Sequence, residues 1–341
     1  MTVLLEVKNL RVTFGGGRKQ IQAVNDVSFS VGEGETAALV GESGSGKSTI
    51  GRSMLGLVRP SSGTVLYKGQ DMIEGWRRRR HEFARQVQAV FQDPNSSLNP
   101  LMTIGQILDE PLRAAGQMSR KNAAARVREM LDAVGLPHGA QARYPAEFSA
   151  GQRQRVAIAR ALVLSPRLVV CDEPVSALDL STQAQVINLL STLREQTGVS
   201  YLFISHDLPV VRHLADNTVV LYRGQVMEAG PAHDVADAPL HPYTIALTAA
   251  SPVIDVDKQQ ERRERRREST AVRADLPLDV PGCPFSARCP FTADVCISTR
   301  PRPVPKGAST VVCHLYDPQS GHPRSGHGVP ASRPPAAPGA M

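Results

Sequence analysis

The sequence predicts an α/β protein built on a largely parallel sheet. Short apolar runs at residues 37–40 and 168–171, and a further mostly apolar segment at 199–204, are typical of strands that are covered on both faces. Between the second and third runs, the segment from Ser181 has apolar residues at the spacing of an amphipathic helix, at Val186, Leu189, Leu190 and Leu193. Strands that alternate with helices in this way favour a parallel arrangement.

Two further parts of the chain have clear patterns. Residues 2–12 alternate apolar and polar side chains and predict a strand, and residues 25–31 predict a second one. Residues 101–165 are mostly helical in pattern, with apolar side chains at helical spacings at Leu108, Leu112, Val127, Met130, Leu131 and Val134.

The regular pattern ends with a predicted hairpin, in which Arg223-Gly224 joins strands at 219–222 and 225–228. Beyond it the apolar runs fade and prolines accumulate, so residues 251–316 are expected to form a small C-terminal extension. Gly, Pro, Ser and Ala dominate residues 317–341, and this composition predicts a disordered tail.

Length and composition limit the possible classes of protein. A chain of 341 residues with 41% hydrophobic content can form one large domain with an appendage, or two domains. No apolar run approaches the ~20 residues that span a bilayer, and the N-terminus lacks the pattern of a signal peptide, so we expect a cytosolic protein. The net charge of +7 includes arginine-rich runs at 77–80 and 261–268, but aromatic residues make up only 4% of the chain. Solvated, charged segments are therefore favoured over a nucleic-acid or lipid surface.

A glycine-rich loop at residues 41–49 fits the phosphate-binding pattern G-x-x-x-x-G-K-[ST], between an apolar run and a predicted helix. Its glycines allow the backbone to fold around an anion, so that N–H groups and the helix N-terminus face the phosphates. Lys47 is expected to reach the β- and γ-phosphates, and the Ser48 hydroxyl to bind Mg²⁺. The predicted nucleotide-binding residues of this P-loop are Gly41, Ser43, Gly44, Ser45, Gly46, Lys47, Ser48 and Thr49.

Two carboxylates, Asp172 and Glu173, follow the apolar run at 168–171. Asp172 is expected to hold Mg²⁺ through water, and Glu173 to polarise the water that attacks the terminal phosphate. Together with the P-loop, this pair predicts a nucleotide hydrolase.

The segment Tyr144–Arg155 resembles the signature motif of ATP-binding-cassette (ABC) ATPases, whose usual form is L-S-G-G-Q. The other motifs of that family occur in the expected order over residues 3–250. They are the adenine-stacking aromatic Phe14, the Q-loop glutamine Gln92, the D-loop aspartate Asp179 and the switch histidine His206.

The resemblance implies a P-loop NTPase core with an antiparallel N-terminal β part and a helical subdomain at about 93–165. Two such domains would bind ATP between the P-loop of one and the signature of the other, where Ser149, Gly151 and Gln152 would contact the partner's nucleotide. Asp179 would help to join the two sites. Gln92 and His206 would act with Glu173 on the chain's own nucleotide, and Gln92 would also bind Mg²⁺. Ala150 departs from the family's glycine. Its preference against positive φ, and the methyl group that it adds near the phosphate, put the partner's site in doubt.

Residues 90–100, 172–179 and 241–244 resemble the second ATPase subunit of dipeptide and oligopeptide importers. That resemblance implies a peripheral subunit at the cytoplasmic face of the membrane, paired with a different ATPase subunit. Its other partners would be two integral-membrane permease subunits and an extracytoplasmic solute-binding protein, with no nucleic acid. Nickel, glutathione or another small solute remains an alternative cargo, and a soluble ABC ATPase that acts on nucleic acid is the alternative outside transport.

The five cysteines divide into one buried candidate and a C-terminal group. Cys171 lies in an apolar run and is expected in the core. The others are separated by 5, 6 and 16 residues, a spacing unlike that of zinc knuckles, and disulfides are disfavoured in a reducing cytosol. Four thiols in a proline-rich segment suggest a metal site. The segment also resembles the extension of peptide-importer ATPases, and this resemblance implies a [4Fe-4S] cluster. Bound zinc and unliganded thiols remain alternatives. The four are Cys283, Cys289, Cys296 and Cys313.

Overall fold

The structure is a computed structural model that describes residues 2–16, 20–116, 118–250 and 280–329. The second arginine-rich run lies outside these ranges, and so do the end of the expected tail and the start of the expected extension. Within the same ranges, every helix is too short or too polar to cross a lipid bilayer.

The described strands form two sheets. A small antiparallel sheet has the order β2-β1-β4-β5, and a larger mixed sheet has the order β11-β12-β10-β9-β3-β8-β7-β6. The strands are β1 (Val3–Phe14), β2 (Ile21–Gly32), β3 (Thr36–Val40), β4 (Ser62–Tyr67), β5 (Gln70–Asp71), β6 (Val87–Val90), β7 (Leu168–Asp172), β8 (Ser200–Ser205), β9 (Asn217–Tyr222), β10 (Gln225–Pro231), β11 (Pro303–Lys306) and β12 (Ser309–Val312).

The larger sheet is parallel from β9 to β6, which confirms the sheet type predicted from the apolar runs. Its central strand β3 is buried along its whole length between β8 and β9. The predicted hairpin joins β9 to β10, and both turn residues, Arg223 and Gly224, have positive φ, of 46° and 74°. Such a turn matches the twist of the two strands.

Helices cover the parallel strands and form a group between β6 and β7. The predicted helical region contains three long helices, and the first two bury the predicted apolar residues Leu108, Leu112, Val127, Met130 and Leu131. The helices are α1 (Lys47–Met54), α2 (Met72–Arg78), α3 (Arg80–Gln86), α4 (Pro94–Ser97), α5 (Ile104–Ala115), α6 (Arg120–Ala133), α7 (Ala150–Leu162), α8 (Leu180–Thr197), α9 (Leu208–Leu214), α10 (Ala232–Asp237), α11 (Pro242–Ala250) and α12 (Asp294–Ser298).

The C-terminal segment continues the larger sheet, because β12 pairs antiparallel with β10. The tail expected from residue 317 is wrong for residues 317–329, which form packed turns. Ser320 Oγ donates to the His314 carbonyl at 2.8 Å, and buried His322 bonds the Phe291 carbonyl through Nε2 at 2.8 Å. The small residues of this stretch therefore form turns instead of a disordered chain.

These turns give a testable contribution to stability. In the His322→Ala variant, the Phe291 carbonyl loses its buried donor, which costs about 1–3 kcal/mol. We expect the thermal midpoint to fall by roughly 2–10 °C, measured by circular dichroism. The matched control is His327→Ala, at an exposed position of the same segment, which should leave the midpoint unchanged. Equal midpoints for both variants would contradict the packing described here.

Candidate functional site

The predicted catalytic segments meet at one edge of the larger sheet. The P-loop follows β3, Gln92 follows β6, Asp172 ends β7 and His206 follows β8. These four strands are parallel, and the carboxyl ends of parallel strands lie at the same edge. The registers of these three parallel strand pairs therefore bring the residues together, although 165 positions of sequence separate Gly41 from His206.

The P-loop contains glycine where a side chain has no room. A Cβ atom at Gly41 would collide with the Leu221 carbonyl oxygen, and one at Gly46 with the Ala23 carbonyl oxygen. Gly46 also has a φ of 95° and caps α1 without a side-chain hydrogen bond. The first N–H groups of α1 are therefore not used by a capping side chain, which suits an anion at this terminus.

Lys47 is almost fully buried beneath the loop. Its Nζ donates to the carbonyl oxygens of Gly41 at 2.7 Å and Glu42 at 2.9 Å. Burial lowers the pKa of Lys47, while the carboxylates of Glu173, Asp172 and Glu42 act in the opposite direction. The ammonium group thus has acceptors within the loop that phosphate oxygens of a bound nucleotide can replace.

The Ser48 hydroxyl and Asp172 carboxylate lie next to each other, as a shared magnesium site requires. Ser48 Oγ donates to Asp172 Oδ1 at 2.8 Å. Hydroxyl and carboxylate oxygens are ligands that suit Mg²⁺, particularly beside substrate phosphates. This donor set therefore fits the metal that the P-loop implies.

Glu173 is the point where the catalytic predictions converge. Its Oε2 accepts from Gln92 Nε2 at 3.3 Å and lies 3.5 Å from His206 Nδ1. Its backbone is left-handed, with φ of 47°, and is held by bonds to Ile204 and Ser176. A glutamate in this region carries backbone strain, which is typical of residues that function requires in one orientation.

The signature segment begins a helix. Ser149 caps α7 in a reciprocal arrangement, since Ser149 Oγ accepts from Gln152 N and Gln152 Oε1 accepts from Ser149 N. Gly151 is buried, and a Cβ atom there would collide with Thr182 of α8. Ala150 is the first helical residue and has no positive φ, so the concern that alanine strains this backbone is wrong.

The other predicted residues lie at the margins of the site. Asp179 caps α8, accepting from Thr182 N at 2.9 Å and from the Ser181 hydroxyl at 2.6 Å. The Ser181 hydroxyl and Thr182 backbone hold the pKa of this exposed carboxyl well below its usual range. Phe14 ends β1 opposite Ile21 and is 43% exposed, as an adenine-stacking ring would have to be. Ser45 Oγ accepts from Lys47 at 3.4 Å.

Two contacts on the P-loop were absent from the sequence predictions. Tyr243 Oη accepts from Glu42 N at 2.8 Å, and Arg288 forms an ion pair with the Glu42 carboxylate. The sequence segment 241–244 marks Tyr243 only through resemblance, and no local pattern points to Arg288. These residues lie 201 and 246 positions from Glu42, so only the tertiary structure brings them to the loop.

The four C-terminal cysteines line one cavity together with His241, His314 and His322. All four are unpaired thiols, and burial raises the pKa of Cys283 and of Cys313 to about 12. In the part of the chain that the structure describes, no group of three or more His, Cys, Asp or Glu side chains is arranged to hold a single metal ion. Cys171, as predicted, is a buried core residue.

Comparison with known proteins identifies the family. Residues 24–176 match the ABC transporter family. The chain is 44% identical over 333 residues to the oligopeptide transport ATP-binding protein OppF of Salmonella typhimurium, covering 93% of this chain and 97% of the relative. The chain belongs to the ABC transporter family of ATPases. Residues 227–296 also match the family described as oligopeptide/dipeptide transporter, C-terminal region.

Other members of the family are similar over most of their length. The oligopeptide transport ATP-binding protein AppF of Bacillus subtilis is 45% identical over 87% of this chain and 90% of its own. Among solved structures, the ATP-binding cassette MJ0796, a dimer in a post-hydrolysis state bound to ADP and Pi, has a TM-score of 0.59 and 31% identity, covering 67% of this chain and 98% of its own. CbiO1 of Clostridium perfringens has a TM-score of 0.62 and 26% identity, and the match covers 70% of this chain and 93% of CbiO1.

The helical conformation of Ala150 leads to a prediction about the ABC signature. Because the backbone needs no glycine there, Ala150→Gly should leave the ATPase rate of the assembled complex unchanged. It should lower the free energy of unfolding by at most about 1 kcal/mol, measured by urea denaturation. Gly116→Ala is the control in the opposite direction, at a position where the backbone does need glycine. Gly116 caps α5 with φ of 66°, so the added methyl group should lower the free energy of unfolding. A several-fold rise in ATPase rate for Ala150→Gly would show that alanine impairs the signature.

Proposed function

We propose that this ABC ATPase hydrolyses ATP to power the import of peptides across the cytoplasmic membrane. The match of residues 227–296 to the C-terminal region of oligopeptide and dipeptide transporters carries the proposal, because this region lies beyond the ATPase motifs. The relatives named oligopeptide transport ATP-binding proteins support the same cargo class. The domain arrangement would be an ATPase domain at 3–250 with its helical part at about 93–165, followed by the extension at 251–316.

The residues at the sheet edge suggest how hydrolysis proceeds. Lys47 would bind the β- and γ-phosphates, while Ser48 and Asp172 would hold Mg²⁺, which neutralises phosphate charge when it is bound. Glu173 would orient the attacking water and accept its proton. Gln92 and His206, both directed at Glu173 Oε2, would hold that carboxylate in place and contact the terminal phosphate.

The remaining residues are assigned to the second half of each ATP site. Ser149, Gly151 and Gln152 would contact the nucleotide bound by a partner ATPase subunit, and Asp179 would join the two sites. The exposed Phe14 ring would stack on adenine. Such a closed pair of subunits is stabilised by the phosphates between them and opens after hydrolysis.

The partners would be a second, different ATPase subunit, two integral-membrane permease subunits and an extracytoplasmic solute-binding protein. The chain would then work as a peripheral subunit at the cytoplasmic face of the membrane. Purification of the chain from its native membrane should recover these subunits, and mass spectrometry of ligands on the binding protein should detect peptides. Detection of nickel or glutathione on the binding protein would overturn the proposal that peptides are the cargo. The absence of any membrane partner would overturn the proposed transport function.

The role of Glu173 can be tested by removing its charge. In Glu173→Gln the water loses its general base, so we expect ATP turnover to fall by about 10²–10⁴-fold while ATP binding is retained. Turnover should be assayed in the complete transporter, and binding with a fluorescent ATP analogue. Glu195→Gln, the same change at an exposed position of α8, is the matched control. Near-normal turnover of Glu173→Gln would contradict the assignment.

We infer that Cys283, Cys289, Cys296 and Cys313 hold a [4Fe-4S] cluster. All four thiols line one cavity, and three other residues that line it have a buried polar atom without a hydrogen-bond partner in the described residues, namely His241 Nε2, Ser286 Oγ and His314 Nδ1. His241 Nδ1 accepts from Tyr243 N at 2.9 Å, so the neutral ring carries its hydrogen on Nε2. A buried donor of this kind needs an acceptor, and cluster sulfur is one.

The cluster predicts a colour. Protein purified without oxygen should be brown, with absorbance near ~400 nm and bound iron. Replacement of Cys296 by serine should reduce both signals, whereas Cys171→Ala, which removes the thiol of the core strand, should keep them. Zinc without iron in the purified protein, or colourless protein after anaerobic purification, would overturn the inference.

A further inference from the structure

The P-loop is held from outside by the cysteine-containing segment. Arg288 lies at the end of a short 3₁₀ turn, Ser286–Arg288, immediately before Cys289. Its Nη1 donates to Glu42 Oε2 at 2.8 Å and its Nη2 to Glu42 Oε1 at 2.9 Å. This is a two-bond fork between guanidinium and carboxylate, which specifies direction as well as distance.

Every polar group of Glu42 is used in this arrangement. Its backbone N–H donates to Tyr243 Oη at 2.8 Å, and its carbonyl accepts from Lys47 Nζ at 2.9 Å and from Ser45 N at 3.2 Å. Glu42 therefore connects two sides of the loop. Its outer side is fixed by Arg288 and Tyr243, and its inner side contacts the lysine that reaches for phosphate.

Arg288 is itself held by aromatic rings. Its guanidinium carbon lies 5.4 Å from the Phe285 ring centroid and 5.8 Å from that of Tyr222. The Tyr222 and Tyr243 centroids are 4.7 Å apart, and Phe285 lies 5.4 Å from each. Three packed rings thus join the end of β9, the start of α11 and the C-terminal segment into one support for the arginine.

The ion pair is better suited to orienting the loop than to stabilising the fold. The side chains of Arg288 and Glu42 remain 34% and 42% exposed, and partly exposed ion pairs contribute little to global stability. Holding a glycine-rich loop in one conformation has a different effect. It removes the ordering that a mobile loop would undergo when it binds phosphate, and this raises affinity.

We propose that Arg288 is a positioning residue for the P-loop, which holds Glu42 so that the loop is ordered before ATP binds. The proposal rests on the nucleotide site proposed above. It makes ATP affinity depend on the fold of the C-terminal segment, because movement of the turn Ser286–Arg288 would withdraw the fork from Glu42. Arg288 would not contact the nucleotide and would act only through Glu42.

The test compares ATP affinity with turnover in the full-length chain, purified in the complete transporter. In Arg288→Met, which keeps an unbranched stem against Phe285, we expect the Kd for ATP and the KM to rise about 5- to 20-fold, within the usual range for coupled sites. The kcat at saturating ATP should change much less. Arg302→Met is the matched control, because Arg302 pairs with Asp317 in the same segment and has no part in the nucleotide site. It should leave Kd, KM and kcat unchanged.

A double-mutant cycle decides whether the two residues act through each other. Glu42→Gln, which leaves the C-terminal segment unaltered, should weaken ATP binding to the same extent as Arg288→Met, and the double variant should be no worse than either single one. The exchanged pair Glu42→Arg with Arg288→Glu should bind ATP more tightly than either of its single variants. Losses that add in the double variant, or wild-type affinity in Arg288→Met, would overturn the proposal.

The outcome also separates this proposal from the nucleotide site itself. If the wild-type chain does not bind ATP, the proposed site fails. If the wild type binds ATP and Arg288→Met binds it equally well, the site stands and only the role of Arg288 fails. If Arg288→Met does not fold, the Glu42→Gln variant still tests whether the ion pair supports binding.

Discussion

The parallel pairing of β3, β7 and β8 is the constraint on which the rest of the site depends. Val40 is in register with Ser205, and Asp172 with Ile204, so the P-loop, the acidic pair and the switch histidine all leave the sheet at the same level. Backbone hydrogen bonds set these registers, and apolar side chains on both faces keep them dry. The chemistry is added in the loops, where side chains do not have to satisfy the packing of the core.

At this edge of the sheet, side chains from two loops lie against one carboxylate, that of Glu173. Gln92 and His206 come from different loops, yet both approach Glu173 Oε2. The left-handed backbone of Glu173 places its side chain between them, and bonds to Ile204 and Ser176 maintain this conformation. A strained backbone in an otherwise regular sheet edge suggests that the orientation of this carboxylate is required by function more than by folding.

The parts of the site that were predictable from sequence are formed by residues that lie close together along the chain. The P-loop needs glycines, a lysine and a helix start within nine residues, and an apolar run followed by Asp172-Glu173 has a recognisable order. The support of Glu42 by Arg288 was not predictable, because an ion pair across 246 positions leaves no local pattern. Composition also misjudged residues 317–329, since glycine and proline occur equally in packed turns and in disordered chains. The backbone strain expected at Ala150 was wrong, because sequence does not define where a helix begins to within one residue, whereas the effect of its methyl group on the partner's site stays a prediction.

The place of β12 in the larger sheet has a consequence beyond nucleotide binding. Its residues Thr310 and Val311 pair with Ala229 and Glu228 of β10, so the C-terminal segment covers what would otherwise be a free sheet edge. A chain shortened before β12 would expose unpaired backbone groups along β10, a surface that recruits strands from other molecules. The segment that carries the cysteines thus also covers an edge of the ATPase sheet.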